Sequence, residues 1–246
     1  MDKMEVAEKY YNKFSADLTS DYVEGNPRTE AAIQHILNWI PLNVTTLLDV
    51  GCGIGWTSFE VAKNISSAEV FGVDLSPESI KIAQKLFKRN NLHYEKRDIT
   101  VQKFEYGKKF DAVFLVDVYE HIPAEFRPFF HKSINEILKD GGRLILTCPS
   151  ILQQKWIKQH KPEGLQPVDE EIGMAELHSF AQDVEGEVIF FSYKQIWDTN
   201  DYFHAVIEKN PKFKKVNRSI LDKIKSRLPF RKMIRRLETK RLLNSQ

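Results

Sequence analysis

The chain has 246 residues, 42% hydrophobic and 28% charged, with 36 Lys/Arg against 34 Asp/Glu. That length suits one α/β domain with a sizeable core plus an appendage, and the composition excludes a fibrous or disordered chain. No apolar run of about 18 residues occurs, so no transmembrane helix is expected.

The N-terminal Met1-Asp2-Lys3-Met4-Glu5 lacks the apolar stretch of a signal peptide. Cys52 and Cys148 show neither metal-ligand nor redox spacing and read as buried thiols in a reducing cytoplasm. The near-neutral balance hides an asymmetry. Residues 209–246 carry 14 Lys/Arg against two acidic residues, which leaves 22 against 32 over residues 1–208. The chain therefore divides into an acidic body, 1–208, and a basic tail, 209–246.

In chain order, residues 2–17 read as a helix with Tyr10, Tyr11 and Phe14 as its larger apolar residues, followed by a polar link over 15–26. Pro27 suits the first turn of a second helix carrying Ala31, Ile33, Ile36 and Ile40 at helical spacing, and Pro41 closes it. From Thr46 the pattern alternates. A strand over 47–50 is followed by a helix to about residue 64. A strand over 69–73 ends at Asp74, and a helix capped by Ser76, with Pro77 in first position, runs to about residue 90. A more polar strand over 94–97 ends at Asp98. The nearly all-apolar run 110–116 reads as a central parallel strand ending at Asp117. An aromatic-rich helix follows over about 123–139, stopped by Lys139-Asp140-Gly141-Gly142, and then a strand over 143–148.

Residues 150–186 are polar and broken by Pro162, Gly164, Pro167 and Gly173. They read as a lid or substrate insertion with a short helix near 174–184. The β runs 188–193 and 202–208, joined by the turn-rich 197–201, read as an antiparallel hairpin. The expected fold is α/β: a doubly wound, seven-stranded, mostly parallel sheet with an antiparallel last hairpin, N-terminal helices and a helical C-terminal tail.

The feature carrying chemistry is Asp49-Val50-Gly51-Cys52-Gly53-Ile54-Gly55. Glycines at alternate positions between strand and helix allow a sharp turn and let a ligand touch the backbone. A dinucleotide fingerprint would need glycine where Trp56 stands, and no Gly-Lys-Ser/Thr of a phosphate-binding loop follows. Ligands of such sheets bind outside the carboxyl ends of the strands, where Asp74, Asp98 and Asp117 lie. Asp74, 23 residues after Gly51, is placed to accept both hydroxyls of a ribose.

The Asp-x-Gly-x-Gly-x-Gly run resembles motif I of class I S-adenosylmethionine (SAM) dependent methyltransferases, a Rossmann-like family. The resemblance is strong over about 45–150 and extends in general layout to 1–208. It implies SAM as cofactor, with Asp98 accepting a hydrogen bond from the adenine amino group and Asp117 beside the methionine moiety. Asp49, Cys52, Leu75, Ile99 and Val116 fall to the same pocket. Arg28, in Gly25-Asn26-Pro27-Arg28, resembles the arginine that quinone O-methyltransferases place near the cofactor carboxylate. Asp117-Val118-Tyr119-Glu120-His121 is similar to the Glu-x-x-Glu-His segment of ubiquinone-biosynthesis O-methyltransferases, whose side chains are associated with a divalent metal. Here Asp117 is one methylene shorter, and a similar Glu-His-Ile-Pro run occurs in methyltransferases that use no metal.

The expected reaction is methyl transfer to a small-molecule acceptor at an oxygen, the hydroxyl of a sugar, a quinone or another compound, lipid-linked ones included. A hydroxyl nucleophile needs its proton removed, and the candidate bases are His121 and, in the insertion, His178. N-methylation of an amine, an RNA-modifying enzyme gripping phosphates with the tail, and a non-catalytic SAM-binding partner are the alternatives. Over 211–246, Ile220, Leu221, Ile224 and Leu228, then Met233, Ile234, Leu237 and Leu242, recur at helical spacing among basic residues and imply two amphipathic helices separated by Pro229. Such a tail suits an anionic membrane surface, placing the protein in the cytoplasm or peripherally at the inner face of the membrane; a solvated tail, or one docked on the acidic body, is the other reading. Phe213 and Phe230 are its only aromatic residues, which counts against stacking on single-stranded RNA.

Overall fold

A computed structural model describes residues 3–99 and 106–213, with the side chains of 3–7 left out. The chain forms two units, residues 1–211 and 212–246, and the sheet belongs to the first. Nearly all of the segment expected as a basic amphipathic tail lies outside the described residues.

Among the described residues the sheet has seven strands: β1 (Thr46–Val50), β2 (Glu69–Asp74), β3 (Leu92–Lys96), β4 (Phe110–Val116), β5 (Leu138–Pro149), β6 (Gly186–Lys194) and β7 (Tyr202–Lys209). Their order is β3-β2-β1-β4-β5-β7-β6. The first five strands pair in parallel, and β7 runs antiparallel to both β5 and β6. The doubly wound sheet with its final hairpin is therefore as expected. The switch point falls between β1 and β4, from which the chain winds in opposite directions. Leu47, Leu48, Val50 and the run Ala112–Leu115 are fully buried because helices cover both faces of these central strands.

The helices are α1 (Lys3–Glu24), α2 (Pro27–Trp39), α3 (Trp56–Asn64), α4 (Pro77–Leu86), α5 (Arg127–Ile137), α6 (Ile151–His160) and α7 (Met174–Asp183). Several differ from the sequence reading for identifiable reasons. α1 continues through the supposed polar link to Glu24, because Tyr22 near its end packs edge-on against Trp56 and Phe87. α4 stops at Leu86 and β3 begins at Leu92, two residues ahead of the expected strand. The helix expected from 123 starts only at Arg127, where Pro128 fits a first turn that needs no N–H. Two 3-10 turns, Tyr119–His121 and Ala124–Phe126, precede it. The Lys139-Asp140-Gly141-Gly142 stop lies within β5: Leu138 pairs with Phe110 and Arg143 with Ala112, so four residues bulge out, with Gly141 at φ 73°. The insertion is more helical than read, holding α6 and α7.

On one face of the sheet, α2 and β7 bury a histidine pair, His35 and His204, with ring centroids 4.6 Å apart and His35 Nε2 3.3 Å from the Ala205 carbonyl oxygen. Burial pulls their pKa values down to about 4 and about 3, so both are neutral in the fold. The unfolded chain takes up these protons below about pH 6.5, so the stability that rests on the neutral pair is lost as pH falls through that value. Replacing His204 with phenylalanine removes one such site. We expect the variant to gain about 2 kcal/mol on the wild type between pH 8 and pH 5. Urea denaturation at the two pH values measures this, and a wild-type-minus-variant difference that stays constant with pH rejects it. The comparison with a variant is needed because Asp49 and Glu120, raised to about 7 by burial, bind protons preferentially in the fold and oppose the trend.

Candidate functional site

The glycine turn after β1 is held from below and leaves its upper surface open. The N–H groups of Gly51 and Cys52 both donate to the Val73 carbonyl, and Gly53 N–H donates to Asp74 Oδ2 at 2.8 Å. Gly51 has φ 72°, and a Cβ there would stand 2.4 Å from Val118 Cγ2. Gly55 has φ 89°, and a Cβ there would meet the Tyr94 hydroxyl at 2.5 Å. Neither position admits a side chain without strain and a clash. Asp49, buried in β1, accepts the Ser58 hydroxyl at 2.5 Å and so ties the strand to α3.

Above this turn lies a cavity of about 220 Å³ at the carboxyl ends of β1, β2 and β4. Twelve of the predicted site residues line it: Arg28, Asp49, Gly51, Cys52 and Gly53 on one side; Asp74, Leu75, Asp98 and Ile99 on another; and Val116, Asp117 and His121 on a third. Gly55 and Glu120 sit behind the wall, Gly55 as the residue that starts α3. His178 does not reach the cavity. α7 buries Leu177, Phe180 and Ala181 and turns His178 to the outside, so the structure gives it no place as a base.

The sequence reading set the acceptor between the N-terminal helices, the 150–186 insertion and the loop after the fourth strand, but named none of the residues that form the roof. α1 lies over the cavity and lends it Tyr11, Phe14 and Leu18. Two contacts pin this helix. Asn12 Oδ1 accepts the Ser76 hydroxyl at 2.7 Å, and Glu8 pairs with Lys96 at 2.9 Å. Gln166, Pro167 and Val168, in the insertion between α6 and α7, add a further wall. No local signal marks these residues, because aromatics on an amphipathic helix read as core.

Each polar group has a definite setting. Asp74 Oδ1 accepts Ser76 N–H and Oδ2 accepts Gly53 N–H, both at 2.8 Å, which fixes the carboxylate at the end of β2. Asn26 caps α2 by accepting the N–H groups of Arg28 and Thr29, and this sets Arg28 at the cavity wall. Arg28 Nη1 stands 3.0 Å from Asp117 Oδ2, while Thr147 Oγ1 donates to Asp117 Oδ1 at 3.1 Å. Despite its burial, the neighbouring Asp117 carboxylate and Tyr202 raise the Arg28 pKa. The ion pair is nevertheless off the hydrogen-bonding axis, for Arg28 Nε and Asp117 Oδ2 are buried without a hydrogen-bond partner. A guanidinium and a carboxylate with spare valence, side by side, complement the carboxylate and ammonium of an amino-acid end. This fits the cofactor suggested by the glycine turn.

His121 Nδ1 donates to the Val168 carbonyl at 2.7 Å and lies 3.3 Å from Asp169 Oδ1; Nε2 lies 3.8 Å from Glu120 Oε1. Burial disfavours its charge, but the Glu120 and Asp169 carboxylates outweigh burial and push its pKa up to about 9. The two carboxylates thus favour the charged form of His121. In that form the ring presents a positive charge to the cavity and has no free nitrogen to take a proton, unlike the base expected from the sequence.

The metal expectation also changes. Asp117, at φ 53°, turns its carboxylate to Arg28 and Thr147, and His121 Nδ1 is committed to Val168. Among the described residues no group of three or more His, Cys, Asp or Glu side chains is arranged to hold a metal ion, so Asp117, Glu120 and His121 do not fit that role.

Comparison with known proteins agrees with this geometry. Residues 47–142 match a family model described as a methyltransferase domain. Ubiquinone biosynthesis O-methyltransferase of Cereibacter sphaeroides is 28% identical over 135 residues, 51% of this chain and 53% of that protein. The Coxiella burnetii protein of the same name is 31% identical over 158 residues, 60% of this chain and 62% of that protein. The chain thus spans between half and two thirds of the length of these curated relatives. Among solved structures, magnesium protoporphyrin IX methyltransferase from Synechocystis with bound S-adenosylhomocysteine aligns with a TM-score of 0.64 at 19% identity, covering 85% of this chain and all of that one. The N-methyltransferase NodS of Bradyrhizobium japonicum aligns with a TM-score of 0.66 at 14% identity, covering 83% and 99%. These two likenesses show the fold.

Proposed function

The chain carries a class I SAM-dependent methyltransferase domain, and we propose that it transfers the methyl group to a hydroxyl of a small, largely apolar acceptor. When bound, SAM supplies a sulfonium methyl carbon open to in-line attack. Arg28 and Asp117 would hold the amino-acid end of the cofactor, Asp74 its ribose hydroxyls, and Asp98 the adenine amino group, with Leu75, Ile99 and Val116 against its apolar surfaces. The acceptor would lie between α1 and the insertion, against Tyr11, Phe14, Phe126 and Val168.

One observation carries the choice of oxygen: His121 stands at the cavity wall beside the Glu120 and Asp169 carboxylates, which favour its charged form, near the apolar side chains of Tyr11, Phe14 and Phe126. A fixed positive charge in a dry site favours the deprotonated form of a nearby hydroxyl and so creates the nucleophile. It would repel an acceptor that binds as an ammonium. α1 above and residues 166–168 beside the chamber would limit the access of water to that oxygen. The O-methyltransferase names of the relatives support the same choice.

Tritium transfer from methyl-labelled SAM to a panel of small phenols, alcohols and amines tests the reading. Label should appear in hydroxyl compounds, and His121→Ala should slow that transfer about 100-fold. Label confined to amines would overturn the oxygen assignment. Full turnover in His121→Ala would remove the role given to the histidine.

A further inference from the structure

Apart from the cavity, the described residues hold a second chain of buried polar groups, running from the surface to the turn that carries His121. Asp183, at the end of α7 and half exposed, has its Oδ2 2.7 Å from His131 Nδ1. His131, on α5 and 3% exposed, has Nε2 2.8 Å from the hydroxyl of Tyr119, which is 1% exposed. A carboxylate can only accept, so Nδ1 carries the hydrogen; Nε2 of the neutral ring accepts, and the Tyr119 O–H donates. Burial lowers the His131 pKa, in keeping with that neutral tautomer. Phe180 of α7 stacks on the imidazole with centroids 4.0 Å apart and planes 13° from parallel, which leaves the ring one orientation.

Tyr119 opens the 3-10 turn whose third residue is His121, and the next residue, Ile122, gives its N–H to the Tyr119 carbonyl. The same turn is held at two other points: Glu170 N–H donates to the Glu120 carbonyl at 2.9 Å and Arg127 Nε to the Ile122 carbonyl at 3.1 Å. A tyrosine hydroxyl so deep in an aromatic cluster would be replaced by phenylalanine at little packing cost, so its presence implies use of the hydrogen bond.

We propose that Asp183, His131 and Tyr119 are positioning residues, a hydrogen-bonded relay that sets the His121 ring at the cavity wall and ties it to helix α7 of the insertion. His121 matters under the methyl-transfer reading above, so the relay takes its purpose from that reading. Its geometry stands without it.

The test separates the two. In protein labelled with ¹³C-histidine, the Cε1–Hε1 cross-peak of His121, assigned from its loss in His121→Ala, reports the ring's setting without any acceptor. Tyr119→Phe and Asp183→Ala should both shift that peak, whereas Asp183→Asn, whose amide oxygen can still accept from Nδ1, should leave it in place. The thermal midpoint of Tyr119→Phe guards against simple unfolding. A His121 peak unmoved in a folded Tyr119→Phe, or moved equally by Asp183→Asn and Asp183→Ala, overturns the relay. Absence of SAM binding by wild-type protein in calorimetry would instead sink the methyl-transfer reading and leave the relay as measured.

Discussion

Asp74→Ala should weaken SAM binding about 100-fold or more. Two hydrogen bonds to a charged acceptor contribute on the order of 1.5–3 kcal/mol each, and the ribose hydroxyls would lose both. The loss has a second source. The same carboxylate holds the Gly53 and Ser76 N–H groups at 2.8 Å, so its removal loosens the glycine turn that should carry the rest of the cofactor. Asp74→Asn distinguishes the contributions, since it keeps the shape and still offers Ser76 an acceptor but sets an amide N–H₂ against Gly53. Titration calorimetry with SAM and with S-adenosylhomocysteine reads the effect. Undiminished affinity in a folded Asp74→Ala would show that the ribose does not sit at the end of β2, and with it the whole cofactor placement would fall.

Arg28→Ala should cost about 3 kcal/mol or more of stability, besides lowering SAM affinity. Removing one member of a buried ion pair strands the other, and the stranded charge costs more than the pair contributes. Asp117 would keep the Thr147 hydroxyl at 3.1 Å but lose the guanidinium at 3.0 Å. Adding Asp117→Asn to Arg28→Ala should restore much of the stability and none of the affinity. Denaturant midpoints of the two single variants and the double variant form the cycle that measures this. If the double variant is no more stable than Arg28→Ala, the two side chains are not coupled as their geometry indicates.

Much of the cofactor side of the site was legible because its logic is local. A glycine turn must follow a strand, and acids at strand ends must point to the same edge of a parallel sheet, whatever the rest of the chain does. Spacing therefore put Gly51, Gly53, Asp74, Asp98 and Asp117 at one edge of the sheet, the family resemblance suggested the part of the ligand each would meet, and the five line one cavity. His178 shows where this logic fails. A short helix was expected near 174–184, but only packing against β6 and α5 decides which face is inward, and Leu177 and Phe180 took it. The two 3-10 turns before α5 were likewise hidden. Pro123 and Pro128 both permit a helix start, and the choice rests on Arg127 and Tyr119 finding partners elsewhere.

By itself the sequence determined the class of sheet, doubly wound and mostly parallel with an antiparallel last hairpin, and brought out the glycine turn and strand-end acids, since alternating apolar runs and turn residues depend on neighbours a few positions away; the strand order itself came from the structure. The electrostatic setting of His121, the loss of the metal-ligand arrangement and the particular side chains that roof the cavity were decided by tertiary structure. Each depends on groups far apart in the chain: Glu120 with Asp169, Arg28 with Asp117, Asn12 with Ser76. Electrostatic energies in a dry interior follow distances of three to four ångströms between such groups, and the order of residues along a chain does not state those distances.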